Sequence, residues 1–291
     1  MRTQVHEVSG IDWGSGAVSN CIWSGPLLAD ILEKAGVTVG SDKGHVHFNS
    51  SYVPVKKDKE FGASVPLERG LDRGKKVILA LEMNHQPLPQ NHGFPVRVVV
   101  PGIAGVRWTK WLDGIYISDI ESSNYYQQKD YKILPLNVTS KAQAELHWSQ
   151  VPPIYGMPIN SVVAYPEPES VVVAGDDGMV EVGGYALPQE DDGPVVKVEV
   201  SCDEGKTWEE AEIVAPEKKQ RETEEGGEKY RWAWVIWRHK VPRDRLLGET
   251  KIWSRATDKG GNLQDGSKPW NLRGVAYNAY GETDGLKAGQ E

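Results

Sequence analysis

NHGFPVRVVVPGIAGVRWTKWL, Asn91 to Leu112, is the stretch on which the reading turns, because it is strongly apolar and still carries Arg97, Arg107 and Lys110. Val96 to Val100, bounded by Pro95 and Pro101, reads as a short buried strand. Alternation along that strand points Arg97 opposite to Val96 and Val98. Arg107 and Lys110 lie around a turn containing Gly102 and Gly105, whose free amides can themselves hold an oxyanion. An unpaired charge taken out of water costs several kcal/mol, so cations among valines need an anion or a solvated edge. A guanidinium fork matches phosphate geometry, and three cations gathered in an acidic chain point to a small anionic ligand. His92 and Gly93 precede the strand in a loop that can present a side chain beside it.

Working outward, SGPLLADILEKAGV places Leu27, Leu28, Ile31, Leu32 and Ala35 at helical spacing, with Ser24 able to cap, Pro26 in the first turn and Gly36 at the stop. Strands are expected at His45 to Phe48, Lys76 to Glu82 and Ile115 to Ser118, with a short helix near Pro66 to Leu71. From about Trp148 the texture changes: SQVPPIYGMPINSVVAYPEPESVV is proline-rich and reads as a linker and boundary. Beyond it the runs Val180 to Tyr185, Val195 to Cys202, Trp208 to Val214, Lys229 to Lys240 and Lys251 to Thr257 are joined by turns such as Asp203-Glu204-Gly205. That is the pattern of an antiparallel sandwich. In YRWAWVIWRHKV, Trp232, Trp234 and Ile236 alternate with Ala233, Val235 and Trp237, so both faces of that strand are expected to be covered. The charged run PEKKQRETEEGGEK reads as a solvated hairpin loop, and the polar GETDGLKAGQE as a frayed end.

At 291 residues, two domains are the default and one large domain the rival. A formal charge of -8 argues against a nucleic-acid partner, and no apolar run reaches the roughly 20 residues a bilayer needs, so no membrane role is implied. Cys21 and Cys202 form no CxxC and no metal-finger spacing. Cys21 reads as small buried filler, Asn137-Val-Thr139 as a chance sequon, and no targeting segment is visible in MRTQVHEVSGIDW. GxGxxG, GxxxxGK[ST], GxSxG and HExxH are absent, which removes the dinucleotide, P-loop, serine-hydrolase and zincin readings. His45 and His47 share a strand face that could pair on a metal, although an exposed edge explains them without ligation.

LALEMNHQPLPQNHGFPVRVVVPGIAGVRWTKWL resembles the molybdopterin-binding region of the sulfite oxidase and eukaryotic assimilatory nitrate reductase family, in which E-M-N-G-Q-P-L-P, H-G-F-P-V-R and P-G…G-x-R-x-x-K-W-L occur in this order. The likeness extends from VSGIDWGSGAVSNCIWSGPLLADIL to WNLRGVAYNAY. It implies an α+β chain: a mixed α/β sulfite-oxidase-type molybdopterin-binding domain over 1–150, then an immunoglobulin-like β-sandwich dimerisation domain over 155–291. It further implies a Mo-molybdopterin cofactor contacted by His92, Arg97, Trp108, Thr109 and above all Lys110. Substrate contacts fall to Tyr131 in QKDYKILP, Arg273 in WNLRG and Trp13 in GIDW. Tyrosine at position 131 favours sulfite, because nitrate reductases of this fold tend to carry asparagine there. Sulfite and an electron acceptor, oxygen or cytochrome c, are the implied partners, with a homodimer formed through the second domain.

Two departures accompany the likeness. The family's metal-binding cysteine sits in a C-A-G-N-R-R run upstream of the residue matching Met1; no such run is present, so no metal ligand is assigned and Met1 is expected to be an internal methionine of a longer protein. FNSSYVPVKKDKEF also lacks an acid where the family has a cofactor-contacting aspartate. A nitrate-type oxyanion oxidoreductase and an inactive fragment serving only as a dimer scaffold are the competing readings. Composition selects no compartment; the family occupies the mitochondrial intermembrane space and peroxisomes, and a cytosolic location is equally compatible.

Overall fold

The computed structural model describes residues 14, 16–37, 43–55, 57–217, 228–246 and 250–289. Two compact units form: one from Ser19–Gly156 with Asn271–Val275, the other from Met157–Trp270 and from Ala276 onward. No helix among the described residues is long and apolar enough to cross a membrane.

The first unit mixes short strands and helices. β1 (Trp23–Ser24) leads to α1 (Leu28–Lys34), whose Leu28, Ala29 and Leu32 are buried as the spacing requires. Ser24 does not cap this helix. It is paired in β1, its carbonyl accepting the Leu81 amide at 2.9 Å, and Gly25 lies so close to the Leu79 carbonyl that a Cβ there would stand 2.0 Å away. The helix therefore begins three residues later, where the Leu28 amide donates to Val77.

β2 (His45–Ser50), β3 (Phe61–Pro66), α2 (Leu67–Leu71), β4 (Ile78–Ala80), β5 (Glu82–Met83), β6 (Gln86–Pro87), β7 (Arg97–Val99) and β8 (Gly114–Ser118) follow. They assemble as three antiparallel sheets, β3-β2-β8, β4-β7 and β1-β5-β6. Val46, Phe48, Val65, Leu67 and Val98 from these elements, with Val100 just past β7, meet Leu28 and Leu32 in one core. A second cluster of Leu134, Val138, Ala144 and Trp148 includes α3 (Lys141–Glu145), with Leu272 packed against it.

The second unit is built on two four-stranded sheets. β9 (Asn160–Tyr165), β10 (Val171–Val172), β11 (Met179–Leu187), β12 (Val195–Ser201), β13 (Glu209–Glu210), β14 (Glu212–Ala215), β15 (Val235–Pro242), β16 (Ile252–Asp258), β17 (Gly281–Thr283) and β18 (Lys287–Ala288) give the orders β14-β15-β11-β9 and β13-β12-β16-β17, with a small parallel β10-β18 pair. Val182, Val198, Val235, Trp237, Ile252 and Ala256, drawn from both large sheets, share one core, so the expected antiparallel sandwich is what forms.

Part of the proline-rich stretch taken as linker is strand β9, paired to β11. The strand expected from Lys229 starts only at Val235, and its outer face is not covered in this chain: Ile236 is 49% exposed while Val235 and Trp237 are fully buried. Trp232 instead donates to Asp191, and Trp234 lies against Tyr185. The polar end is not frayed through Ala288, since β17 pairs with β16, β18 pairs with β10, and Leu286 between them is buried. Most of the charged loop, at 218–227, lies outside the described residues.

Candidate functional site

Arg97 sits at the head of β7, opposite Ala80 of β4, with Val98 beside it in the core. Its guanidinium lies over the Trp23 ring at 4.8 Å and faces the Trp108 ring at 5.9 Å. Nη1 donates to the His92 carbonyl at 3.2 Å and Nη2 to the Trp108 carbonyl at 3.4 Å, while Nε is buried with no hydrogen-bond partner among the described residues. Burial pushes the guanidinium down to about 10, with the nearby Cys21 sulfur opposing the shift. A cation held this way, by indole faces and backbone carbonyls, retains unspent capacity for an anion.

The loop of Gln90, Asn91 and His92 explains how two separate sequence segments come together. The Gln90 carbonyl accepts from Trp111 Nε1 at 2.9 Å, the Asn91 carbonyl from Lys110 Nζ at 2.9 Å, and the His92 carbonyl from Arg97. Lys110 also lies over the Trp111 ring at 4.3 Å, and its pKa is lowered by burial and then by Arg97. Gly93 closes the turn at φ 111°, where a Cβ would stand 3.0 Å from the Arg97 Cβ and 3.1 Å from the Lys110 Cβ, so only glycine fits without displacement. His92 itself is exposed.

The other expected members divide. Trp108 is half-buried, its Nε1 donating to Ile103 at 3.1 Å. Thr109 is fully buried and its hydroxyl donates to the Phe48 carbonyl at 3.4 Å, so it supports the segment from within rather than facing outward. Arg107, one of the cations that raised the question of an anion, turns inward: it is 0% exposed and donates to the carbonyls of Ile154 and Tyr126.

A second cluster forms around Tyr131. A π-helical turn, Tyr126–Asp130, delivers Asp130 and Tyr131 side by side. Arg273 Nη1 meets Asp130 Oδ1 at 2.7 Å, with the two side chains 27% and 18% exposed. Leu272, packed in the second core cluster of this unit, and Asn271, which accepts from the Arg273 amide, anchor the segment that carries it. The Tyr131 phenol is held above its ordinary pKa by burial first, then by Asp130 and Tyr126, against the pull of Arg273 and Arg107. A neutral phenol beside an oriented guanidinium is a donor pair suited to a small oxyanion.

Trp13 lies outside the described residues. His47 Nε2 pairs with the Ile120 carbonyl at 2.8 Å and its ring stacks on Tyr116, and among the described residues no group of three or more His, Cys, Asp or Glu could hold a metal. Trp23 and Asp130 were not anticipated. Asp130 adjoins Tyr131 in the sequence, a signal that was available; nothing in local periodicity marks Trp23 as a neighbour of Arg97.

These features define an α+β unit with a desolvated cationic cradle, combined with an antiparallel sandwich. A family model described as "Oxidoreductase molybdopterin binding domain" matches residues 1–126, and one described as "Mo-co oxidoreductase dimerisation domain" matches residues 151–283. The mitochondrial sulfite oxidase of Drosophila melanogaster is 38% identical over 284 residues, covering 96% of this chain and 47% of that protein. Sulfite oxidase of Arabidopsis thaliana is 34% identical over 288 residues, covering 96% and 70%. Nitrate reductase [NAD(P)H] of Hordeum vulgare is 34% identical over 285 residues, covering 96% and 31%. Sulfane dehydrogenase SoxCD from Paracoccus pantotrophus shares the fold, with TM-score 0.66 and 24% identity over 90% of this chain and 59% of that one. The chain belongs to the sulfite oxidase family of molybdopterin-binding oxidoreductases. It spans about half the length of several curated relatives that it matches.

Proposed function

We propose that this chain is the molybdopterin-binding and dimerisation part of a molybdenum-dependent sulfite oxidase, with its cofactor domain over 1–150 and its sandwich, over 155–291, forming a homodimer. The observation that carries the reading is Arg97, a buried guanidinium flanked by indoles, bonded among the described residues only to backbone carbonyls and with its Nε left without a partner there. That environment fits the phosphate of a molybdopterin, which would return to the guanidinium the interaction that burial removed. Arg97 and Lys110 would hold the phosphate, with exposed His92 at the edge of the cradle and Trp108 and Thr109 supporting it from behind.

When bound, the cofactor supplies a two-electron acceptor. Sulfite and water become sulfate with release of two protons and two electrons, and the electrons pass onward to oxygen or cytochrome c. Arg273, oriented by Asp130, pairs with the oxyanion, and Tyr131 donates a hydrogen bond from its neutral phenol.

Nitrate reduction is the second reading, supported by the Hordeum vulgare relative at 34% identity over 96% of this chain. The test is steady-state assay of cofactor-loaded protein: sulfite-dependent reduction of ferricyanide or cytochrome c is expected. Nitrate reduction without sulfite oxidation would replace the first reading by the second. Purified protein lacking both molybdenum and oxidised-pterin fluorescence after cofactor loading would leave only a scaffold role.

A further inference from the structure

We propose that Arg107 is a positioning residue for Tyr131, holding from behind the two backbone segments that aim the phenol. The inference rests on the reading of Tyr131 as a substrate-facing group. Arg107 ends the single turn Gly105–Arg107 and is entirely buried. Its Nε and Nη2 both donate to the Ile154 carbonyl, at 3.3 and 3.2 Å, and Nη1 donates to the Tyr126 carbonyl at 3.2 Å.

Those two carbonyls bracket Tyr131. Tyr126 opens the π-helical turn whose last residue precedes Tyr131, and its ring meets that of Tyr131 edge-on with centroids 6.1 Å apart. Ile154 lies across the chain on the other side, and its amide donates to the Tyr131 carbonyl at 2.8 Å, next to a bridge between Lys132 and Pro153. One guanidinium thus ties the entry to the turn to the strand-like segment that receives its exit. A π-helical turn is rare, short and frequent at functional sites.

The surroundings fix Arg107 in turn. Its guanidinium lies 5.7 Å from the Tyr155 ring, and the Tyr155 hydroxyl accepts from Gln127 at 3.0 Å and donates to Glu121 at 3.3 Å. Gln127 reaches the edge strand β3 by accepting from the Ser64 amide at 3.1 Å and donating to the Ser64 carbonyl at 3.2 Å. On the far side, buried Lys132 donates to the Trp148 carbonyl at 2.7 Å. Arg107 makes no direct ion pair among these contacts, and burial pushes its pKa down to about 10. Simple core filling would be served by leucine or methionine at lower desolvation cost, whereas a planar five-donor fork is the group that can grip two carbonyls at fixed separation.

The test uses Arg107→Gln and Arg107→Lys in the full chain, each alone and combined with Tyr131→Phe. Hydrogen exchange is read first, without and with cofactor. Arg107→Gln is expected to speed exchange of the Ile154 amide and of residues 127–132 at least tenfold, with Met179–Leu187 of the sandwich unchanged. Unchanged exchange near Tyr131, or uniform acceleration throughout the first unit, would overturn the proposal. Turnover of loaded protein is read second: Arg107→Gln and Tyr131→Phe should each lower kcat/KM for sulfite, and the double variant should lie within about twofold of the lower single variant, because both act through one phenol. Multiplying losses would also overturn it. If Tyr131→Phe leaves kcat/KM unchanged, the functional reading fails, and the exchange data alone decide whether Arg107 places Tyr131. Should Arg107→Gln not accumulate folded, Arg107→Lys, which can engage one carbonyl, is judged by the same two readouts.

Discussion

Arg97→Met is expected to make the cofactor-free protein more stable while removing its response to anions. A guanidinium whose pKa burial lowers to about 10 carries a desolvation cost on the order of 3 kcal/mol, at roughly 1.4 kcal/mol per decade. The sign follows from proton binding: between about pH 10 and the higher pKa of the unfolded chain, the folded chain binds fewer protons than the unfolded one, so stability rises with pH across that window and the full cost is present below it. Against this stand two indole contacts, together about 1 kcal/mol, and two long carbonyl bonds, together about 1 kcal/mol. The difference leaves Arg97→Met about 1 kcal/mol more stable at pH 7, or about 3 °C in Tm. Thermal unfolding in a phosphate-free buffer, with and without pyrophosphate, measures both effects. The wild-type chain should gain about 1.4 kcal/mol when the anion is at tenfold its Kd, and the variant nothing. A variant that melts lower than wild type and retains the pyrophosphate response would refute the reasoning.

Gly93→Ala forces a side chain into φ 111° and against the Cβ atoms of Arg97 and Lys110; a loss of about 1–3 kcal/mol is expected in denaturant titrations. Asp130→Asn removes the carboxylate charge that pairs with Arg273 at 2.7 Å, and under the proposed function sulfite KM is expected to rise about three- to tenfold with a smaller change in kcat, as read by steady-state kinetics.

Period and punctuation made much of the architecture legible. The apolar rows of α1, the alternation in β15 and β16, and the proline brackets around β7 describe local geometry, and local geometry decided those elements. Where a distant carbonyl competes, local rules failed. Ser24 is a good capping residue, yet its backbone is recruited by Leu81, and the helix starts elsewhere. The cationic cluster was legible as a cluster but not as a division of labour: Arg97 and Arg107 sit in similar apolar company, and only tertiary packing turns one toward indoles and the other toward the Ile154 and Tyr126 carbonyls. Asp130 illustrates the same limit, because its partner Arg273 lies 143 residues away and no spacing rule spans that separation.

The short strap Asn271–Val275 belongs to the unit whose remaining residues end at Gly156. Its Leu272 and Arg273 are among the last parts of that unit to leave the ribosome, after the chain of nearly the whole sandwich. The first unit is therefore completed only after most of the sandwich has been translated. Its completion is timed by translation of what comes after it, and a chain released early within that strap would lack β17 and β18 as well, leaving both units incomplete.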